Sequence, residues 1–84
     1  MNKLNRTHNL KTVQPYFDAL KKGLKKFEIR KNDRDYQVGD YLHLQEYDTE
    51  LGYSGDDLLF KVSYLLDNED FLQKGYVCMS LLEM

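Results

Sequence analysis

Lys25, Glu28 and Arg30 lie within one short stretch and supply a mobile ammonium, a carboxylate and a planar fork of donors. Two residues apart on an extended strand, Glu28 and Arg30 share a face, with backbones about 7 Å apart. Arg30 can clamp a phosphate through two parallel hydrogen bonds. Ionised Glu28 only accepts, so it can take an amino group or a ribose hydroxyl. The combination suits a nucleotide, with phosphate on Arg30 and Lys25 and base or sugar on Glu28. The same spacing also describes a solvated pair, Glu28 with Arg30 or Lys26, contributing about 0–1 kcal/mol. Lys31, Asn32, Asp33 and Arg34 follow in a polar stretch, and Tyr36 either stacks on an unpaired base or packs inward. Tyr47 and Tyr53 offer ring faces in the same way, whereas Tyr16, Tyr64 and Tyr76 fit core or barrel positions.

Other chemistries find little support. His8 and His43 stand isolated, and no His, Cys or carboxylate cluster has metal-ligand spacing. Asp48, Glu50, Asp56 and Asp57 flank a Gly-containing stretch without the EF-hand pattern. There is no P-loop and no dinucleotide fingerprint, so no cofactor is expected. The single cysteine, Cys78, cannot form an internal disulfide and sits in an apolar strand pattern, which reads as a buried structural thiol. No catalytic residue is assigned; were the chain an enzyme, Lys25 and Glu28 would carry the chemistry.

Charge is divided unevenly. The formal net charge is −2, yet residues 1–34 hold ten Lys/Arg against three Asp/Glu, and residues 35–84 hold two against eleven. Seven cations crowd into 21–34: Lys21, Lys22, Lys25, Lys26, Arg30, Lys31 and Arg34. A local cationic surface on a mildly acidic protein points to an anionic partner at one site, RNA or a nucleotide. It excludes a general nucleic-acid coat, which needs basic surface over most of the molecule. The acidic 40–70 region offers an alternative, a protein-interaction surface. No apolar run nears the roughly 20 residues that cross a bilayer, and the start lacks the apolar core of a secretion signal. Membrane partners are therefore not expected, and the cytoplasm is the expected location.

The elements that must position the candidate site follow from periodicity. Eighty-four residues suit one domain, expected at 8–84 after a tail at 1–7. Residues 7–10 read as a short strand. Thr12 fits a helix N-cap and Pro15 a first turn. Val13, Phe17, Leu20 and Leu24 make one apolar stripe, and Gly23 suits a position beyond the helix end that needs positive φ, giving a helix of about ten residues. Residues 26–30 alternate as a strand with Phe27 and Ile29 toward the core. Residues 31–37 form a loop, and 41–47 a second strand with Leu42 and Leu44 inward. Residues 48–57 read as a long hairpin loop and 58–66 as a strand with Phe60, Val62 and Tyr64 on one face. Residues 68–72 suggest a helical turn. The last strand, 76–82, is apolar on both faces and therefore interior. This order gives a small α+β domain whose sheet can close into a barrel.

The stretch Gly23-Leu24-Lys25-Lys26-Phe27-Glu28-Ile29-Arg30 resembles the G-x-K-x-x-E-x-R signature of ASCH domains (activating signal cointegrator homology), relatives of PUA RNA-binding domains. Flanking blocks extend the likeness to a small bacterial and phage branch: His8-x-Leu10-Lys11, Pro15-x-Phe17, Phe27 through Asp35, Val38-Gly39-Asp40 and Gly75-Tyr76-Val77. The resemblance covers about residues 8–82. It implies a PUA-like mixed β-barrel of about five strands with one main N-terminal helix. Its cleft would be formed by Lys25, Glu28 and Arg30, rimmed by the loop Lys31, Asn32, Asp33 and Arg34, and would bind RNA. One branch of the superfamily is an amidohydrolase that removes an acyl group from a modified cytidine using a lysine, a threonine and a glutamate. Its lysine matches Lys25, but Glu28 occupies the threonine position, which breaks that pattern.

Overall fold

The computed structural model describes residues 4–84. Its elements run β1 (Thr7–Thr12), α1 (Tyr16–Lys21), β2 (Phe27–Lys31), β3 (Tyr41–Asp48), β4 (Gly52–Leu66) and β5 (Tyr76–Glu83). One five-stranded sheet has the order β1-β3-β4-β5-β2. β1 pairs with β3 in parallel, and the other neighbours are antiparallel. Register shifts at 45–47 in β3 and at 62–64 in β4 bend the sheet, which curls into a half-barrel with β1 and β2 as its edges. A small mixed barrel is what the sequence suggested, with β5 interior. The contribution of helix is smaller than expected.

The inward faces of the strands build the core. Leu10, Leu42, Leu44, Phe60, Val62, Val77, Met79 and Leu81 form one buried cluster with Leu20 of α1. The alternation expected for β3 holds, since Leu42 and Leu44 are fully buried. α1 is six residues long, not ten. Thr12 is no N-cap, because its backbone is committed to β1, opposite Glu46 of β3. Of the expected stripe only Phe17 and Leu20 are buried, while Val13 and Leu24 lie exposed beyond the short helix. Gly23 does end it: φ is +75°, and the N–H groups of Gly23 and Leu24 donate to Leu20 O and Ala19 O at 3.1 and 2.9 Å. That is the paired pattern by which a left-handed residue caps a C-terminus.

Further corrections concern strand faces and the hairpin. The long loop expected at 48–57 is a tight turn, with Asp48 Oδ1 accepting the N–H groups of Glu50 and Leu51 at 2.8 and 2.9 Å, and β4 begins at Gly52. Ser54 and Gly55, which suggested loop, sit inside the hairpin, where Tyr53 pairs with Tyr47 and Asp57 with Gln45. The register shift after Val62 turns Tyr64 outward, away from the face of Phe60 and Val62. Tyr16, read as a core ring, is also exposed. Cys78 is only half-buried, opposite Ile29 and Leu66 on the outer face. Residues 68–72 make a turn closed on Asn68 O by the N–H groups of Phe71 and Leu72, both at 3.0 Å. Of the segment read as a tail, residues 1–3 lie outside the described residues, and Thr7 opens β1.

Candidate functional site

The phase of β2 decides the site. Phe27 and Ile29 were expected to face the core, yet they are 44% and 48% exposed, and Glu28 is only 4% exposed. In the β2–β5 register Glu28 lies opposite Met79 and Arg30 opposite Val77, both buried, so the two charged residues take the core side. An edge strand tolerates this because the carboxylate finds two cations. Lys25 Nζ meets Glu28 Oε1 at 2.5 Å, and Arg30 Nε meets Glu28 Oε2 at 2.9 Å. Burying a carboxylate unpaired would be strongly unfavourable, whereas paired on both oxygens it is stable.

Both cations are anchored further. Lys25 Nζ also donates to Phe27 O at 2.6 Å and lies 4.7 Å from the centroid of the Phe27 ring. Arg30 Nη2 crosses the open side of the half-barrel to Lys11 O at 3.0 Å and Thr12 Oγ1 at 3.3 Å on β1. The three residues therefore converge, at the turn from α1 into β2 and beside β1.

Above them opens a cavity of about 420 Å3, lined by β1 (Lys11, Thr12), Val13, Tyr16, Lys25 and β2 residues 27–30. Its walls are mostly apolar, with Tyr16 and Phe27 exposed beside the ionic floor. A largely apolar cleft with a few convergent polar groups, of roughly 300–1,000 Å3, is the usual form of a small-molecule site. Thr12 and Tyr16 escape sequence reasoning as lining residues, because their local pattern fits a helix cap and the core.

The remaining candidates fall elsewhere. Lys31 is exposed and its ammonium has no hydrogen-bond or ion-pair partner among the described residues, and the same holds for the ammonium groups of Lys22 and Lys26. Arg34 Nη1 donates to Asn9 O at 3.1 Å, a tie to the β1 edge beside that made by Arg30. Asn32 Oδ1 accepts the Tyr36 N–H at 3.0 Å and shapes the loop. Tyr36 is 3% exposed and packs edge-on against His8 with centroids 4.7 Å apart, so its ring belongs to the core instead of the rim. Burial pushes its phenol above the usual range.

Neither histidine is isolated. His8 Nε2 pairs with Asp40 Oδ2 at 2.8 Å in the core, and the Asp40 carboxylate also accepts the N–H groups of Arg6 (3.1 Å) and Gln37 (3.0 Å). Burial alone would raise the Asp40 carboxyl, but the His8 contact and the two N–H donors outweigh it and hold the group below the usual carboxylate range. His43 bridges Asn9 Oδ1 at 2.9 Å and Asp57 Oδ2 at 2.7 Å. Lys21 pairs with Asp56 at 2.7 Å, and that hydrogen bond raises the ammonium and lowers the carboxyl. Part of the acidic half thus neutralises part of the basic half. Among the described residues no group of three His, Cys, Asp or Glu could hold a metal ion, and no helix is long and apolar enough to cross a membrane.

Comparison with known proteins places these features in a family. An uncharacterized 12.9 kDa protein in the GpA 3' region of Escherichia phage P2 is 33% identical over 66 residues, covering 79% of this chain and 60% of the phage protein. The chain thus spans less than two thirds of that relative's length. A family described as a domain of unknown function, DUF3850, matches residues 7–81, from the first residue of β1 into β5. The strands that enclose the cavity and the pair of edges bridged by Arg30 all lie inside that match, and the chain belongs to the DUF3850 family.

Proposed function

We propose that the chain is an ASCH-type, PUA-like barrel that binds RNA or a nucleotide, receiving an unpaired base in the cavity between β1 and β2. The observation that carries this reading is the convergence of Lys25, Glu28 and Arg30 beneath an apolar cleft flanked by the exposed rings of Tyr16 and Phe27. Aromatic faces accept any base, and stacking contributes about 1–3 kcal/mol per base. Arg30 is tied to Glu28 and β1, so its role shifts from phosphate clamp to framework of the pocket. Backbone phosphates fall to the exposed Lys22, Lys26 and Lys31 instead. The test is fluorescence anisotropy with labelled single-stranded RNA across a salt series. Affinity falls with rising salt, and Tyr16→Ala weakens binding; RNA that does not bind even at low ionic strength refutes the reading.

One observation favours a second reading, hydrolysis of an acyl group on a modified nucleoside. A lysine, a glutamate and a hydroxyl line the same cavity, although the hydroxyl is that of Thr12 on β1 and not a strand neighbour of Lys25. Incubation with N-acylated cytidine then releases free cytidine, and Lys25→Ala abolishes release; absence of turnover removes this reading.

A further inference from the structure

The ionic floor of the cavity is polarised in its hydrogen-bonding capacity. An ammonium has three donor hydrogens and a guanidinium five. Lys25 uses two, toward Phe27 O and Glu28 Oε1. Arg30 commits Nε to Glu28 Oε2 and Nη2 to Lys11 O and Thr12 Oγ1. The third ammonium hydrogen of Lys25 and both hydrogens on Arg30 Nη1 have no hydrogen-bond acceptor among the described residues.

The acceptors are committed and covered. Each Glu28 oxygen already holds a cation, and its side chain is 5% exposed, against 17% for Lys25 and 25% for Arg30. Phe27 O takes Lys25, Lys11 O takes Arg30, and the buried Thr12 hydroxyl donates to Leu10 O at 3.4 Å while accepting from Arg30. The hydrogen-bonding capacity left on the floor is therefore mostly donor hydrogen, carried by its two more exposed side chains.

We infer that the cavity receives a base by its C4 edge (C6 in a purine) and so selects uracil, which presents a carbonyl there, over cytosine and adenine, which present an amino group. This rests on reading the cavity as a nucleic-acid site, and it reverses the role first expected of Glu28. The carboxylate orients two donors instead of accepting from the ligand. The C4 carbonyl of uracil completes the open donor set of Lys25 and Arg30, and the ring lies between the apolar walls of Tyr16, Phe27 and Val13. An amino group of cytosine or adenine at the same place would meet donors, leaving polar hydrogens on both sides unpaired and desolvated.

The test is competition at low ionic strength between homopolymeric oligonucleotides of uridine, cytidine and adenosine of equal length, read by anisotropy on the wild-type chain. Oligouridine binds about tenfold tighter than the other two, the ratio expected when one buried polar pairing is missing. Equal affinity for all three, or preference for cytidine or adenosine, overturns the carbonyl selection and leaves the RNA reading standing. No binding by any of them overturns both.

Discussion

Arg30 spans from β2 to β1: its Nη2 donates to the Lys11 carbonyl at 3.0 Å while its Nε holds Glu28 Oε2 at 2.9 Å. Lys11 lies on the sheet edge that faces away from β3, where a carbonyl has no strand partner. One side chain therefore supplies an edge hydrogen bond and neutralises a buried carboxylate. Arg30→Ala removes both. We expect destabilisation of about 2–4 kcal/mol, because removing one partner of a buried pair leaves the other charge under-compensated. Urea denaturation measures it, and a change below about 0.5 kcal/mol, the range of ordinary surface substitutions, would rule out the bridging role.

Glu28 and Arg30 act as a unit, so the effects of replacing them do not add. Glu28→Gln keeps the shape and removes the charge that both cations face. Combined with Arg30→Ala, its cost is smaller than the sum of the two single changes by about 1 kcal/mol or more. Denaturation of the two single variants and the double variant closes the cycle. Strict additivity would mean that the two side chains do not interact energetically.

The reversed phase of β2 sets up a contrast between two apolar residues. Ile29 is exposed on the outer face, opposite half-buried Cys78, and Leu44 is fully buried on β3. Ile29→Ser costs less than about 1 kcal/mol. Leu44→Ala leaves a cavity in the core and costs about 2–5 kcal/mol. Thermal unfolding of both variants checks this, and a large destabilisation by Ile29→Ser would restore the view that this face of β2 is buried.

That contrast shows where the chain's pattern is readable. On β3, apolar and polar residues alternate and the apolar ones go inward, so Leu42 and Leu44 are legible. β2 alternates as cleanly, but Glu28 is buried and Arg30 half-buried on the core side because Lys25 and Arg30 neutralise the carboxylate, and only the pairing with β5 reveals that. The hydrophobic rule assigns faces by solvation of single residues; it takes no account of ion pairs that Glu28 forms with Arg30 of its own strand and with Lys25 just before it. His8 and Asp40 lie 32 positions apart, and their contact depends on β1 pairing with β3 in parallel, which no local signal announces. The G-x-K-x-x-E-x-R stretch does bring Lys25, Glu28 and Arg30 together, because its spacing is local. Tyr16 and Thr12 join the site only through the closeness of β1 to β2.

Binding and folding separate cleanly at the cavity mouth. Tyr16 is exposed, so Tyr16→Ala changes stability by less than about 1 kcal/mol. It weakens binding of single-stranded RNA by roughly 5–150-fold, the span expected when one base no longer stacks. Replacing Lys22, Lys26 and Lys31 by glutamine instead acts through salt. For every phosphate that a replaced lysine had neutralised, the slope of log affinity against log salt falls by about 0.7. Anisotropy titrations at several salt concentrations distinguish the two. A Tyr16→Ala protein that binds like wild type excludes the stacking role, and an unchanged slope in the triple lysine variant places the phosphates elsewhere.

Acid sensitivity tests the buried network beneath β1. Asp40 is 1% exposed, and its carboxyl is held below the usual carboxylate range by His8 and by the N–H groups of Arg6 and Gln37, against the upward push of burial. A depressed carboxyl stabilises the fold at pH values above its unfolded-state value and forfeits that contribution as pH falls through its folded-state value. Stability of the wild-type chain should therefore drop as pH falls below the usual carboxylate range, with Asp48 and Asp56, which are also depressed, acting in the same direction. Asp40→Asn keeps one acceptor but removes the charge, costing about 1–3 kcal/mol at neutral pH. The same substitution flattens the acid limb, because the variant has no proton to gain at that site. Denaturation midpoints measured from neutral pH down into the acid range read both effects together. An Asp40→Asn protein whose acid limb runs parallel to wild type would show that protonation of Asp40 does not drive the acid loss of stability.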